Sequence, residues 1–132
     1  MRVTFLPVFA AAAAIVVTAT PAAAQHSSRE KQVAALLKSL ETGDAKAASV
    51  IDARSYRQHN LNVADGPAAF RSLVRSGPKS GVRVQTVRLF EDCDFVFAQS
   101  IYERGGPKVG FDIFRFDKGK IVEHWDNLQS NA

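Results

Sequence analysis

The sequence predicts an α+β domain in which helices come first and an antiparallel sheet follows. Helical periodicity is confined to the part of the chain before Gly77-Pro78. Four runs rich in β-branched and aromatic residues come after it, at 82–90, 95–102, 109–116 and 120–128. Because short turns join these runs, we expect a curved antiparallel sheet, closed on one face by three N-terminal helices. Such an arrangement forms a cone whose interior is a pocket.

The first 24 residues have the pattern of an export signal, so we expect residues 25–132 to form the folded domain. Arg2 supplies a positive charge, residues 8–17 are apolar, and Ala22-Ala23-Ala24 is a small-residue cleavage pattern. The apolar run is too short to span a bilayer of about 30 Å at about 1.5 Å per residue. We therefore expect a periplasmic or secreted protein, with no membrane partner after cleavage.

Composition excludes several classes of protein. The net charge is +4, and the basic residues are scattered without interleaved aromatic residues, which argues against a nucleic-acid partner. Cys93 is the only cysteine, so no disulfide forms within the chain. We interpret it as a small residue beside a turn, with a link between two copies as the alternative. The histidines lack the spacing of zinc ligands, so neither a metal nor another cofactor is expected.

Three helices are predicted from capping residues and apolar spacing. Ser27 and Glu30 have capping-box spacing, and the apolar stripe after them ends at Gly43. Asp44 is expected to cap a short second helix over 45–51. Asp65 is expected to cap a third, which has Pro67 in its first turn and ends at Gly77-Pro78. Residues 55–61, between the second and third, are polar and too short for a core of their own.

The terminal hairpin carries the chemically informative residues, and its turn decides which of them face each other. A three-residue loop over 117–119 would pair Phe116 with Lys120 and place Asp112 opposite His124. It would also place Phe114 opposite Val122 and Gly110 opposite Asp126. The alternative is a two-residue turn at Lys118-Gly119, which would place Asp112 opposite Trp125. We favour the longer loop because two-residue turns prefer Asn or Asp before the glycine.

In the favoured register, Asp112, His124 and Asp126 lie on one face of the hairpin. Two carboxylates beside an imidazole can transfer protons, although polar residues at a sheet edge are the alternative. The other face would carry Phe111, Ile113, Ile121 and Trp125. On that face Arg115 would oppose Ile121 and Glu123 would oppose Ile113, diagonal neighbours that can form an ion pair.

These motifs together resemble the SnoaL-like polyketide cyclase family, which shares the fold of nuclear transport factor 2 and ketosteroid isomerase. The motifs are a helix ending in Gly43-Asp44, Tyr56-Arg57-Gln58-His59-Asn60 leading to Val63-Ala64-Asp65-Gly66, Asp112-Ile113-Phe114-Arg115, and Gly119-Lys120-Ile121-Val122-Glu123-His124-Trp125-Asp126. The last run is the most specific. The resemblance covers nearly all of residues 25–132 and implies a cone-shaped domain, a homodimer and a small-molecule ligand in the cone.

The resemblance also implies cofactor-free acid–base chemistry, in which a pocket aspartate moves a proton at a carbon next to a carbonyl and an aldol closure or isomerisation follows. Asp112 best matches that aspartate, His124 would hold or polarise it, and Asp126 is a second candidate base. The substrate-binding residues implied are His59, Asn60, Gln99, Tyr102, Phe114 and Trp125. Two alternatives remain open: a binding protein that holds an apolar ligand without turnover, and a dimer whose cone is filled by its own side chains.

Overall fold

The computed structural model of the chain describes residues 26–130, and the predicted export signal lies outside them. The elements are α1 (Ser28–Thr42), a 3₁₀ turn (Ala47–Val50), β1 (Arg57–Gln58), α2 (Pro67–Ser80), β2 (Arg83–Asp92), β3 (Phe95–Glu103), β4 (Pro107–Asp117) and β5 (Lys120–Ser130). The prediction of an α+β fold with helices first is confirmed. Among the described residues, every helix is too short or too polar to cross a membrane.

The sheet has five strands in the order β1-β5-β4-β3-β2, and it is mixed where the sequence predicted a purely antiparallel one. β2 to β5 are antiparallel neighbours, as predicted. β1 lies at the edge and runs parallel to β5, with Arg57 beside Glu123 and Gln58 beside His124. The sequence of this segment predicted a polar connection without a strand, because a two-residue strand has too few positions to show an alternating pattern.

Residues 26–130 form two α-helices, so the predicted count of three is not confirmed. α1 forms as predicted, with a complete capping box between Ser27 and Glu30 and with Gly43 at its end. The predicted second helix is a single 3₁₀ turn, since Asp44 accepts a hydrogen bond from Lys46 N and caps no helix. The cap of α2 is Gly66, because the Asp65 carboxylate accepts hydrogen bonds from backbone N–H groups outside that helix.

α2 continues through Gly77-Pro78 to Ser80, beyond its predicted end. Proline disfavours a helical residue before it partly by contact with that residue's Cβ, and Gly77 has none. The missing Cβ also allows close packing of the two helices: a Cβ on Gly77 would lie 1.6 Å from the carbonyl oxygen of Leu40 in α1. The pair of residues that resembled a helix end is therefore a helix–helix contact.

The helices cover one face of the sheet and form a single core with it. The fully buried side chains include Val33, Leu36 and Leu37 from α1, Val74 from α2, and Val96, Phe114, Phe116 and Ile121 from the strands. The opposite face of the sheet, here called the outer face, carries exposed Phe90 and Phe111. The inner face thus presents its side chains to the helices.

The register of the terminal hairpin differs from both sequence-based alternatives. Asp117 pairs with Lys120 across a two-residue turn in which Lys118 and Gly119 both have positive φ, so the three-residue loop was wrong. A bulge at Val122 then shifts the pairing by one residue. As a result Asp112 lies opposite Asp126, and neither His124 nor Trp125 faces it directly.

The bulge also changes the positions of neighbouring side chains. Ile121 pairs with Phe116 and is buried on the inner face, whereas the predicted register placed it on the outer face. Phe114 faces His124 and not Val122, and Gly110 faces Leu128 and not Asp126. The Arg115–Glu123 ion pair is confirmed on the outer face, with the two residues directly opposite each other.

Candidate functional site

A pocket of about 340 Å³ lies between the inner face of the sheet and the two helices. The apolar part of its lining comes from α1, α2, β5 and the loops before and after α2: Leu37, Leu40, Val63, Phe70, Leu73, Val82 and Leu128. Its floor is polar and consists of Gln58, Asn60, Tyr102, Asp112, His124 and Asp126. Apolar walls with a few convergent polar groups are typical of a small-molecule site.

Asp112 is buried on this floor, with 3% of its surface exposed, and both of its carboxylate oxygens accept a hydrogen bond. Oδ2 accepts from the Tyr102 hydroxyl at 2.7 Å, and Oδ1 lies 3.0 Å from His124 Nε2. Burial, with a further contribution from Asp112, raises the pKa of Tyr102 far above its ordinary value of 10.0. The tyrosine therefore keeps its proton and remains a donor to the carboxylate.

Gly110 lets the Tyr102 ring reach Asp112. Tyr102 pairs with Lys108 across the strands, yet its hydroxyl contacts a residue four positions farther along β4. The ring lies over Gly110, where a Cβ would come within 2.4 Å of Tyr102 Cε2. A side chain at position 110 would block this path, so the glycine is part of the site's construction.

Gln58 determines which nitrogen of His124 carries the proton. The Gln58 Oε1 atom accepts hydrogen bonds from the backbone N–H groups of His59 and Asn60, which fixes the orientation of the amide. Its Nε2 therefore donates to His124 Nδ1 across 3.0 Å. Because Nδ1 accepts, the neutral ring carries its proton on Nε2 and donates it to Asp112. The imidazole ring is also held by stacking on Phe114 at 4.3 Å between centroids.

Asp126 differs from Asp112 in having one carboxylate oxygen without a hydrogen-bond partner among the described residues. Its Oδ2 accepts from Asn60 Nδ2 at 2.9 Å. Its Oδ1 is buried and has no hydrogen-bond partner among the described residues. Asn60 Oδ1 accepts from the backbone N–H of Asn62, which fixes the orientation of the amide. Asn60 Nδ2 donates one hydrogen to Asp126 and forms no second hydrogen bond within the described residues. One acceptor and one donor of the pocket floor are thus unpaired in this part of the chain.

The structure brings together five of the nine site residues named from the sequence: Asn60, Tyr102, Asp112, His124 and Asp126. Phe114 lies beneath His124 in the core and is fully buried. The other three were wrongly placed. His59 stacks on Trp125 and pairs with Glu123 on the outer face. Gln99 pairs with Phe111, also on that face, because strand side chains alternate.

Three residues around His124 were not predicted as site residues: Gln58, Tyr56 and Phe70. Gln58 and buried Tyr56 share a hydrogen bond of 3.3 Å, and the Phe70 ring meets the His124 ring edge-on. Gln58 in β1 and Tyr56 just before it are two residues apart and both point inward, so alternation along a recognised strand would have found them. Phe70 lies on α2, and nothing in the sequence connects it with His124.

Within residues 26–130, one group of side chains is of a kind that can bind a metal ion. It consists of Asp112, His124 and Asp126, whose ligand atoms lie within 4.8 Å of one another. Metal binding needs a histidine nitrogen with a free lone pair. His124 Nδ1 already accepts from Gln58, and Nε2 carries the proton donated to Asp112. The arrangement of the residues therefore suits proton transfer better than metal binding.

No known protein family matches the sequence, and no curated protein matches it. Solved structures do match. An NTF-2 like protein of unknown function from Burkholderia xenovorans is 18% identical, with a TM-score of 0.61, over 77% of this chain and 83% of that one. A proposed ketosteroid isomerase from Kribbella flavida is 13% identical, with a TM-score of 0.67, over 78% of each chain.

An LEH-like epoxide hydrolase from M. tuberculosis is 18% identical, with a TM-score of 0.62, over 76% of this chain and 81% of that one. Isomerase and hydrolase chemistry thus occur among the similar structures, and identities this low establish shared architecture but not shared activity. The resemblance noted in the sequence is confirmed at the level of the fold. The chain has the NTF2-like fold.

Proposed function

We propose that the chain is a cofactor-free acid–base enzyme that acts on a small carbonyl-bearing molecule, of the aldol cyclase or isomerase type to which SnoaL-like proteins belong. The observation that carries this proposal is the Oδ1 atom of Asp126, a buried carboxylate oxygen on the floor of a preformed pocket, without a partner in the described chain. A buried polar atom without a partner is unfavourable unless a ligand or a water molecule contacts it.

The two aspartates have different roles in this proposal. Asp112 accepts two hydrogen bonds and is nearly inaccessible, so a substrate hydrogen cannot reach either oxygen without displacing Tyr102 or His124. Asp126 Oδ1 is buried as well, but it has no hydrogen-bond partner among residues 26–130, so a substrate hydrogen would displace none of them. We therefore assign the proton-transfer role to Asp126, and the role of holding the floor in place to Asp112.

The proposed reaction begins when Asp126 Oδ1 takes a proton from the carbon next to the substrate carbonyl. The electron pair of the broken C–H bond moves into the carbonyl group and gives an enolate, whose oxygen accepts from the free N–H of Asn60. In an isomerisation, Asp126 returns the proton to another carbon of the same enolate. In an aldol closure, the enolate carbon bonds to a second carbonyl in the molecule, and the proton goes to the new alkoxide.

The chain therefore needs neither an oxidant nor a cofactor for the reaction proposed. The fixed Nε2–H tautomer of His124 and the protonated Tyr102 keep two donors on Asp112 throughout the cycle. Positioned acid–base groups of this kind contribute roughly 10²–10⁴-fold to rate.

The experiment is hydrogen–deuterium exchange at the α-carbon of a panel of small ketones incubated with wild-type protein in D₂O. Each compound is first tested for binding by calorimetry. Exchange that is faster with protein than without it, for at least one bound compound, supports the proposal. Bound ketones that show no protein-dependent exchange would favour the alternative, a protein that holds an apolar ligand without turnover.

We further propose that the protein is a homodimer joined through the outer face of the sheet. Phe90 is 57% exposed and Phe111 is 55% exposed on this face. Phe90 stacks on Phe97, and Phe95 contacts Trp125, which extends the aromatic surface across the strands. Large apolar patches of this kind mark contact surfaces. Sedimentation should give the dimer mass for wild-type protein and the monomer mass for Phe111→Lys.

Export of the chain is also proposed, on the pattern of residues 1–24. N-terminal sequencing of protein expressed from its full-length sequence in a Gram-negative host should show a start at or near Gln25. Fractionation should place it outside the cytoplasm. Recovery of intact Met1 protein in the membrane fraction would contradict the proposal.

A further inference from the structure

The mouth of the pocket carries two basic residues, and we infer from them the class of molecule that the pocket takes. We propose that the ligand is a carbonyl compound with an apolar chain that ends in a carboxylate, bound with its carboxylate at Arg104 and Lys108. The carbonyl then lies at the floor. This inference rests on the function proposed for the same site and adds the ligand's second recognition group.

Arg104 and Lys108 both line the pocket, Arg104 from the β3–β4 turn and Lys108 from the start of β4. Within residues 26–130, neither side chain forms an ion pair or a hydrogen bond. Three basic side chains in this part of the chain pair with a glutamate, namely Arg29, Lys38 and Arg115, whereas Arg104 and Lys108, like most of the basic residues, have no acidic partner. The two cations at the mouth are therefore available to a ligand.

The floor and the mouth have opposite charge, and this gives the ligand one orientation. Asp112 and Asp126 are the acidic residues that line the pocket, and both lie at the floor. A ligand carboxylate would be repelled there and attracted at the mouth, where arginine can bind it with two hydrogen bonds. The reacting carbonyl is thereby directed to Asp126.

The spacing of residues along β4 sets the distance between the mouth of the pocket and its floor. Lys108 and Asp112 lie on the same face of β4, with Gly110 between them. At about 3.4 Å per residue, four residues of strand separate the two positions by about 14 Å. The Tyr102 ring covers Gly110 within this interval, and Leu40, Leu73, Val82 and Leu128 supply apolar lining to the same pocket. A linear chain of medium length matches this distance, and a short keto acid such as pyruvate does not.

The test uses decanoate with a ketone on its penultimate carbon, compared with the methyl ester of the same compound. Dissociation constants are measured by calorimetry at low and at high salt. We expect wild-type protein to bind the acid at least about tenfold more tightly than the ester at low salt. High salt should reduce this preference, because exposed charges are screened.

The double variant Arg104→Gln/Lys108→Gln should lose the preference for the acid and keep its affinity for the ester. The matched control is Arg71→Gln/Arg75→Gln, which removes the same charge from the exposed side of α2, away from the pocket. We expect this control to keep the preference. Its loss in both double variants would show an effect of total charge and overturn the inference.

Equal affinity of wild-type protein for acid and ester, or no binding of the acid, would also overturn the inference. The outcome is distinct from that of the proposed function, which is decided by exchange of α-hydrogens in bound ketones. A charge preference without exchange would retain the ligand class and reject catalysis. Exchange of α-hydrogens in the ester, with no preference for the acid, would support catalysis and reject the ligand class.

Discussion

Removing the hydroxyl of Tyr102 tests the buried network on the pocket floor. In Tyr102→Phe the ring and its packing over Gly110 stay, and a single oxygen is lost. That oxygen donates to Asp112 Oδ2 at 2.7 Å, and both residues are buried. Hydrogen bonds to charged groups contribute about 1.5–3 kcal/mol. We therefore expect the free energy of unfolding to fall by about 2 kcal/mol, which lowers the melting temperature by roughly 8–16 °C for a domain of this size.

Tyr56→Phe is the matched control, because it deletes the same atom from another buried tyrosine. The Tyr56 hydroxyl accepts from Gln58 Nε2 at 3.3 Å, a longer bond in which neither partner is charged. Its loss should cost about 0.5–1.5 kcal/mol. Urea denaturation of both variants gives the comparison. A Tyr102→Phe cost within the range of the control would refute the reasoning that the hydroxyl stabilises a buried carboxylate.

The same variant has a predicted pH dependence. Burial raises the pKa of Tyr102 above its ordinary 10.0, so below that pH the residue is neutral in both the folded and unfolded states. As the pH rises above 10.0, the unfolded chain ionises and the folded one does not, and stability falls. Tyr102→Phe lacks this loss. The stability gap between it and wild type should therefore narrow in alkaline solution; a gap that stays constant would contradict the assignment.

Three further predictions concern the site and the hairpin. In Gln58→Glu the new carboxylate accepts from His124 Nδ1, so ¹⁵N NMR should show Nδ1 protonated in the variant and unprotonated in wild type; a protonated wild-type Nδ1 would contradict the tautomer. Gly119→Val should cost on the order of 1 kcal/mol or more in urea denaturation, since φ is 76° there and valine resists that conformation; an unchanged midpoint would be evidence against the turn. Arg115 holds the pKa of Glu123 below its ordinary 4.5, so the stabilisation is present above that value and lost as the pH falls through the folded pKa. Glu123→Gln should be less stable than wild type at pH 7 and converge with it in acid; no convergence would exclude the ion pair as the cause.

Much of the fold was predictable from the sequence, because α1 and the four long strands have clear capping or periodic patterns. The capping box of α1 and the four long strands have many positions each, so their periodicity is strong. β1 has two residues and was missed. The end of α2 was misplaced because Gly77-Pro78 usually breaks a helix, while here the glycine serves a contact with α1.

The sequence predicted part of the site, although the hairpin register on which that prediction rested was wrong. Asp112, His124 and Asp126 do meet on one face, but through a two-residue turn and a bulge that local turn preferences do not predict. The bulge shifts register after Ile121, so the direct partner of Asp112 changes while its diagonal neighbour His124 stays within reach. His59 and Trp125 were assigned to the pocket by motif, and only the strand pairing shows that they lie on the outer face.

The rate of α-hydrogen exchange in a bound ketone, compared between wild type, Asp126→Asn and Asp112→Asn, decides which aspartate transfers the proton. Asp126 is predicted to transfer the proton, so Asp126→Asn should keep the fold and ligand affinity and lose roughly 10²–10⁴-fold in exchange rate. Asp112→Asn should mainly lose stability, because it disturbs two buried hydrogen bonds. Exchange that persists in Asp126→Asn and disappears in a folded, ligand-binding Asp112→Asn would contradict the account.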